Sequence, residues 1–466
     1  MKSITLVVTT SSSVRHSRLA DTLAQSLSFG LAHYASDTGG IAQHISNRKK
    51  MELACWVPSG LSLNAIQNLG AKSIEQCKER IGKEDARIRV LWGQDVRGET
   101  KFFVSKGILL ASTTGRMMKK DQPNNKIEID GIFDRSLHAV VAGIDYAREL
   151  TCLPPNILNP QTFVTMVSDH FSSFPQVTIR VLDHKALERE GMNLVIAVGK
   201  GSAIPPRLMV IEYNYTPSQT KNPYCLVGKG VTYDSGGYYV KPYPVMNEMY
   251  ADMGGAATVV GIIETACRLG SPQSLIGVIP LVENMISGGA MKNGDVYTAK
   301  NGLTVMVSHS DAEGRLILAD ALTYAEQKYA PKMMLDFATL TGACRKALGE
   351  MYSGIFGVED NVLIPKLLDS CKRTNDLGWQ LPLDCHCMDA VKGSYTDLDN
   401  VGKREVMGAS TAAAFLSHFV TNKKTWIHCD IAGPVLRTKQ RQEYDEKNIA
   451  GTGPLVHAVC DFLDIV

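Results

Sequence analysis

The second half of this sequence alternates short apolar runs with longer stretches whose apolar residues recur at helical spacing. RLMVIEY and YCLVGKGVTY precede GGAATVVGIIETACRLG, SLIGVIPLVEN precedes RLILADALTYAEQKYA, and MMLDFATL and TAAAFLSHFVTNKK precede WIHCDIAG. Runs that stay apolar throughout belong to strands covered on both faces, and helices returning over a parallel sheet supply that cover. The expected architecture is therefore α/β, with a mixed, largely parallel sheet flanked by helices. Ligands of such sheets gather at the carboxyl ends of the strands. Lys229, Asp311 and the turn Thr339-Leu340-Thr341-Gly342 fall there.

A chain of 466 residues exceeds what one hydrophobic core usually serves. Before residue 135, short apolar runs (ITLVV, LACWVP, IRVLWG, KFFVS) mix with helical stretches such as SIEQCKERIG, which predicts a small α/β domain over residues 1–135. KKDQPNNKIEIDG reads as a loop near its end. DRSLHAVVAGIDYARELTCL has helical spacing and stops at Pro154-Pro155, so residues 136–155 are expected to form a connecting helix and 156–466 a larger C-terminal domain.

Composition excludes several classes. With 44% hydrophobic and 21% charged residues, the chain is neither disordered nor fibrous. No run approaches a membrane span, and MKSITLVVTT reads as a first strand rather than a leader, so a cytoplasmic protein is expected. The 11 cysteines lack regular spacing, and Cys225, Cys267, Cys429 and Cys460 lie in apolar segments, as buried thiols of a reducing compartment do. Residues 1–150 carry 21 Lys+Arg against 15 Asp+Glu, or +6, leaving 28 against 32, or −4. That excess reads as solvated surface; nucleic-acid binding would need a motif or aromatic interleaving that is missing.

Charges concentrate where the strands should end. Lys229, Asp234, Lys241 and Asp252 lie in one stretch, and Asp311, Glu313 and Arg315 in SDAEGRLILADAL. This is the set a two-metal hydrolytic site needs: carboxylates to hold a pair of divalent cations, which lower the pKa of a shared water. Asp311 and Glu313, two apart, can face one side of an extended or loop segment. Asp252 precedes Gly254-Gly255-Ala256-Ala257, where small residues let a helix start close to the sheet. Lys229, between two glycines after an apolar strand, would be buried, and beside metals it can become a neutral ligand. Lys241 and Arg315 would stay charged and stabilise negative charge developing on a tetrahedral intermediate.

Other motifs read as structural. Cys385-His386-Cys387 lacks a second ligand pair at zinc-site spacing. His428, Cys429 and Asp430 alternate along an expected core strand. No complete P-loop or GxGxxG appears, nor a GxSxG elbow or HExxH helix.

These residues resemble the leucyl aminopeptidase family of cytosolic exopeptidases (family M17). The likeness rests on the order and intervals of Lys229, Asp234, Lys241, Asp252 and the DAEGR block at Asp311, and extends over GSAIPPRLMVIEY, ATLTGA, WQLPL and WIHCDIAGP, from about residue 136 onward. The resemblance implies a metallo-aminopeptidase, hydrolysing peptides with a free N-terminus and preferring Leu-like first residues. By position it implies that Asp234 and Glu313 bridge two ions, Zn²⁺ or Mn²⁺, that Asp311 completes one site and that Lys229 with Asp252 completes the other. It implies further that Lys241 polarises the scissile carbonyl, that Arg315 with the Leu340 backbone holds a bicarbonate general base, and that Met249, Thr339 and Gly342 line the pocket for the first side chain. The family assembles as a homohexamer. A hexameric binding or scaffold protein, DNA-binding for example, with weak or no peptidase activity is the alternative. Two positions depart from the family pattern: His309-Ser310 replaces Asn-Thr, and Tyr239 replaces a small residue.

Overall fold

The computed structural model describes residues 2–9, 40–47, 50–57, 60–81, 85–93, 96, 98–113, 127–216, 222–402, 407–436 and 451–466. They form two compact units, one running through Val141 and the other from Ala142 onward. The division falls inside the helix Arg135–Cys152.

The first unit is built on strands β1 (Lys2–Thr9), β2 (Gly40–Asn47), β3 (Lys50–Trp56), β4 (Ala86–Trp92) and β5 (Ile127–Asp130), in the order β2-β3-β1-β4-β5. Its pairs are parallel except β2 with β3. Helices Leu63–Ile81 and Gly98–Ser112 pack on each other at backbone contact: a Cβ on Gly70 would stand 2.3 Å from Val104 O, and one on Gly107 1.9 Å from Gln67 O. Two expectations are corrected here. KFFVS is helical, inside a helix whose residues Phe103 to Ala111 are all buried; an apolar run without periodicity does not separate a buried helix from a strand. Ile127–Asp130, read as part of a loop, is the edge strand β5, pairing in parallel with β4, while residues 119–126 of the same segment lie outside the described residues.

The second unit carries β6 (Val177–Leu182), β7 (Arg207–Tyr213), β8 (Tyr224–Gly228), β9 (Gly230–Asp234), β10 (Leu275–Asn284), β11 (Val296–Thr298), β12 (Thr304–Met306), β13 (Met333–Ala338), β14 (Ser353–Phe356), β15 (Gly378–Gln380), β16 (Leu398–Asp399) and β17 (Trp426–Asp430). The large sheet runs β15-β14-β17-β13-β8-β10-β7-β6, with β9 also on β10, and β11-β12-β16 make a small separate sheet. The centre, β17-β13-β8-β10, is parallel; β7 is antiparallel to β10 and to β6, and β14 to β17. The expected mixed, largely parallel α/β sheet is thus observed. Its inner strands are buried almost throughout, while the edge strands β6 and β15 are partly exposed, and helices Gly254–Leu269 and Glu313–Tyr329 pack beside the inner ones, the former buried from Gly254 to Cys267.

YCLVGKGVTY, one apolar run in sequence, is two strands. The break is at Lys229, whose N–H donates to Phe337 O (2.9 Å) and whose carbonyl accepts from Ala256 N (2.9 Å). The helix Gly254–Leu269 therefore begins directly against the sheet backbone. A Cβ on Gly255 would lie 2.0 Å from Phe337 O, and one on Gly228 2.7 Å from Gly255 O. No described helix is long and apolar enough to cross a membrane. All eleven cysteines are free, with Cys225, Cys267, Cys429 and Cys460 buried as expected.

Candidate metal centre

The carboxyl ends of five strands converge on the charged residues. β8 delivers Lys229, β9 ends at Asp234, β10 at Asn284 and β17 at Asp430, and β13 runs into the Thr339–Thr341 turn. Asp311 lies in the turn before the helix Glu313–Tyr329, and Glu313 is that helix's first residue. The segment is not extended: Ala312 N–H donates to His309 O (3.1 Å), and this turn, rather than strand alternation, brings both carboxylates to one centre.

Two lysines tie the acids together. Lys229 Nζ lies 2.8 and 2.7 Å from the two oxygens of Asp252, 2.9 Å from Glu313 Oε1 and 2.9 Å from Thr339 O. Lys241 Nζ lies 2.8 Å from Asp234 Oδ2 and 2.5 Å from Asp311 Oδ1. Asp234 Oδ1 accepts from Gly236 N (2.9 Å) and Asn284 Nδ2 (2.8 Å), and Thr339 Oγ1 donates to Asp252 Oδ1 (2.6 Å). Asp234, Asp252 and Glu313 each offer an oxygen within 4.8 Å of the others, and all three are buried.

Counted as fully ionised, four carboxyl groups against two ammonium groups leave two negative charges in a largely buried cluster, which is why burial resists their ionisation. Burial raises the carboxyl pKa values of Asp234 and Asp252 and pushes Asp311 up to about 7, while Lys229 and Lys241 hold Glu313 below its ordinary range despite its burial. The same burial would depress both lysines, but Asp252 and Glu313 around Lys229, and Asp234 and Glu313 around Lys241, outweigh it and raise them. Lys229 is thus held as an ammonium by carboxylates that a divalent cation would engage in its place. An excess of two buried negative charges, all on oxygen ligands, fits divalent cations.

Space is as specific as charge. A Cβ on Gly314 would fall 2.4 Å from Lys229 Cε, so the glycine of DAEGR leaves room for the lysine stem. Gly236 (φ +87°) and Gly237 (φ +61°) take the left-handed backbone that turns the chain from Asp234 back to Lys241. Arg315 is 7% exposed, donates from Nη1 to Asn400 O (2.8 Å) and has an Nε without a protein partner. Burial lowers its pKa to about 10, which leaves it charged at neutral pH. Met249 is half-buried in the 3-10 turn Val245–Ala251 immediately before Asp252; Thr339 and Leu340 are half-buried, and Gly342 is exposed. Arg345, in the helix that Gly342 begins, lies 3.3 Å from Glu248 in that 3-10 turn.

The two departures touch. Tyr239 and His309 have ring centroids 3.7 Å apart, and Ser310 Oγ donates to Gly236 O (2.8 Å) while accepting from Tyr239 N (2.8 Å). Cys385 and Cys387 sit in a short helix capped by Asp384, which accepts from Cys387 N at 3.1 Å. His428 and Asp430 are fully buried; His428 Nδ1 lies 2.6 Å from Asp336, and Asp430 accepts from Leu340 N (3.2 Å), Thr341 Oγ1 (2.7 Å) and Ala432 N (3.1 Å). Asp430 is therefore more than packing, since it holds the turn whose Thr339 contacts Lys229 and Asp252. Sequence reasoning missed Asn284 and Asn400 altogether, because an asparagine that bonds loop backbone leaves no periodic or charge signal. A cavity of about 300 Å³ bounded by Asn301, Glu326, His418 and Lys423 contains none of the expected site residues.

Known proteins share both sequence and fold with this chain. The profile of the cytosol aminopeptidase family, catalytic domain, matches residues 145–460. The probable cytosol aminopeptidase of Haemophilus ducreyi is 42% identical over 295 residues, which are 63% of this chain and 58% of that protein. The match thus spans little more than half the length of that relative. Among solved structures, the bottromycin maturation enzyme in complex with Mn superposes with a TM-score of 0.84 at 27% identity, covering 99% of this chain and 98% of the other. A mutant of tomato leucine aminopeptidase does so with a TM-score of 0.83 at 25% identity, covering 99% and 93%.

Proposed function

Because this chain belongs to the cytosol aminopeptidase family, we propose that it is a metal-dependent aminopeptidase that removes N-terminal residues, Leu-like ones preferred, from peptides with a free amine. The observation carrying this reading is the buried clustering of four carboxyl groups, Asp234, Asp252, Asp311 and Glu313, with Lys229 and Lys241 at the strand ends. Asp234 and Glu313 would bridge a pair of ions, Asp311 would complete one site, and Lys229 with Asp252 the other. Zn²⁺ and Mn²⁺ both suit this donor set, and when bound they supply an activated water and Lewis-acid stabilisation at neutral pH.

The chain's own residues do the rest. Lys241, which lies between Asp234 and Asp311, would keep its proton and direct it at the scissile carbonyl oxygen, where negative charge would grow. Arg315, charged and with a free Nε, offers an anion site for bicarbonate as general base. The Leu340 N–H already donates to Asp430, so its share in holding that anion requires a small shift of the turn. Met249, Thr339 and Gly342 would bound the pocket for the first side chain, which discriminates among apolar neighbours by only about 1–3 kcal/mol per methylene. A homohexamer in the cytoplasm is the assembly and location that belong to this reading.

The test is hydrolysis of a leucine amide by metal-stripped protein with Mn²⁺ or Zn²⁺ restored, beside Asp311→Ala and an N-acetylated substrate. Metal-dependent release abolished by both changes supports the proposal. No release under either metal from folded protein overturns it in favour of a binding or scaffold role, which a DNA retardation assay at two salt concentrations would then examine.

A further inference from the structure

Asn400 is fully buried and comes from a part of the chain remote from every acid in the centre, just after the two-residue strand β16. Its carboxamide is spent on one loop. Oδ1 accepts from Ser308 N (2.9 Å) and His309 N (3.1 Å), while Nδ2 donates to His309 O (2.8 Å) and Ala312 O (3.4 Å). Two acceptor bonds on the oxygen and two donor bonds on the nitrogen also settle which way the amide faces. The loop so clasped carries Asp311, and Glu313 begins the helix on its far side. The main-chain carbonyl of the same residue accepts from Arg315 Nη1 (2.8 Å). β16 is itself anchored, pairing with β12 through Val305–Leu398 and Met306–Asp399, and Asn400 N donates to Met306 O (3.0 Å).

We infer that Asn400 is a positioning residue of the metal centre: its buried side chain clasps both flanks of the turn that aims Asp311 and Glu313, and its backbone fixes Arg315. A turn of three residues ending in a helix has few internal hydrogen bonds with which to resist the repulsion between its own carboxylates and those of Asp234 and Asp252. Asn293 accepts from Ser310 N (3.0 Å) and Asn284 donates to Ser310 O (3.1 Å), while Asn400 supplies the bonds to Ser308, His309 and Ala312, in the way a neighbouring strand would. An asparagine is suited because its amide presents the donor and the acceptor of a peptide group without a chain attached. No other neutral side chain of that length does both, and an aspartate would lose both donor bonds and add a fifth negative charge.

This inference rests on the metal reading above, and the experiment separates the two. Mn²⁺ binding to the metal-stripped full chain is measured by calorimetry for the unchanged protein, Asn400→Ala and Asn400→Asp, with the melting temperature of each metal-free form. Partners that orient metal ligands typically change affinity by about 10–100-fold when removed. The expected result is Mn²⁺ binding weakened by that factor in both variants, with the Arg315 contact, made by the main chain, retained in Asn400→Ala. If the unchanged protein binds no Mn²⁺, the metal reading fails and this inference with it. If it binds and both folded variants bind equally well, the metal reading stands and Asn400 is merely structural. If Asn400→Ala does not fold, Asn400→Asp decides alone; a chain that folds in neither form makes Asn400 a folding residue and overturns the positioning role.

Discussion

Lys229 and Lys241 have nearly the same surroundings and opposite prospects. Lys229 is 3% exposed and enclosed by Asp252, Glu313 and the Thr339 carbonyl, so nothing as large as a substrate carbonyl reaches it. Lys241 is more open and spans Asp234 and Asp311 from the side of the left-handed turn Gly236–Gly237. On the proposed reading, Lys241 is therefore the one of the pair that can reach the scissile carbonyl. Replacing it by methionine is expected to lower kcat by about 10²–10³-fold, the usual cost of losing one oxyanion-stabilising donor, with Mn²⁺ affinity nearly kept; steady-state kinetics beside calorimetry checks the split. Lys229→Met should act the other way, reducing Mn²⁺ affinity first.

At the level of elements, the centre exists because helices begin almost in contact with strand ends. At Gly255 the obstacle to a side chain is main chain, and at Gly314 it is a lysine stem. Gly255→Ala would drive a methyl into Phe337 O, 2.0 Å away, on the main chain of β13. The expected loss is about 1–3 kcal/mol, as for other overpacked sites, read from urea denaturation. Gly314→Ala would instead meet the Lys229 stem at 2.4 Å. The lysine can yield, so stability should change little while Mn²⁺ binding weakens, and equilibrium dialysis beside a melting curve would show this. A Gly314→Ala protein binding Mn²⁺ normally would mean that Lys229 need not hold its place.

For the whole molecule, a metal bound at the acidic cluster would stabilise the fold. Ions bound at about 100 times their Kd add about 2.7 kcal/mol to stability, so chelation is expected to lower the melting temperature. The effect should grow with pH. The Asp311 carboxyl is held up to about 7 in the fold against an ordinary 3.8, so the proton it retains stabilises the metal-free protein fully only below that ordinary value and is lost as pH rises through 7. Melting curves with and without chelator at pH 5.5 and 8 should diverge at the higher pH; parallel shifts would deny the cluster this role. Much of this was legible beforehand. The α/β alternation from RLMVIEY onward announced the parallel sheet, since covered strands must be apolar on both faces. The acids and lysines announced the chemistry, since few other arrangements require so many charges beside apolar strands. The sequence by itself determined which residue types would meet at the strand ends, because chain order and sheet handedness leave few alternatives. Only the tertiary structure decided that β8 and β9 break at Lys229, that KFFVS lies in a helix, that Tyr239 packs on His309, and that Asn400 and Asp430 hold the two turns. The Asn400 and Asp430 contacts and the break at Lys229 depend on backbone groups brought together from distant segments, and a backbone amide carries no sequence signature; the helix over KFFVS escaped because a buried apolar run has no period.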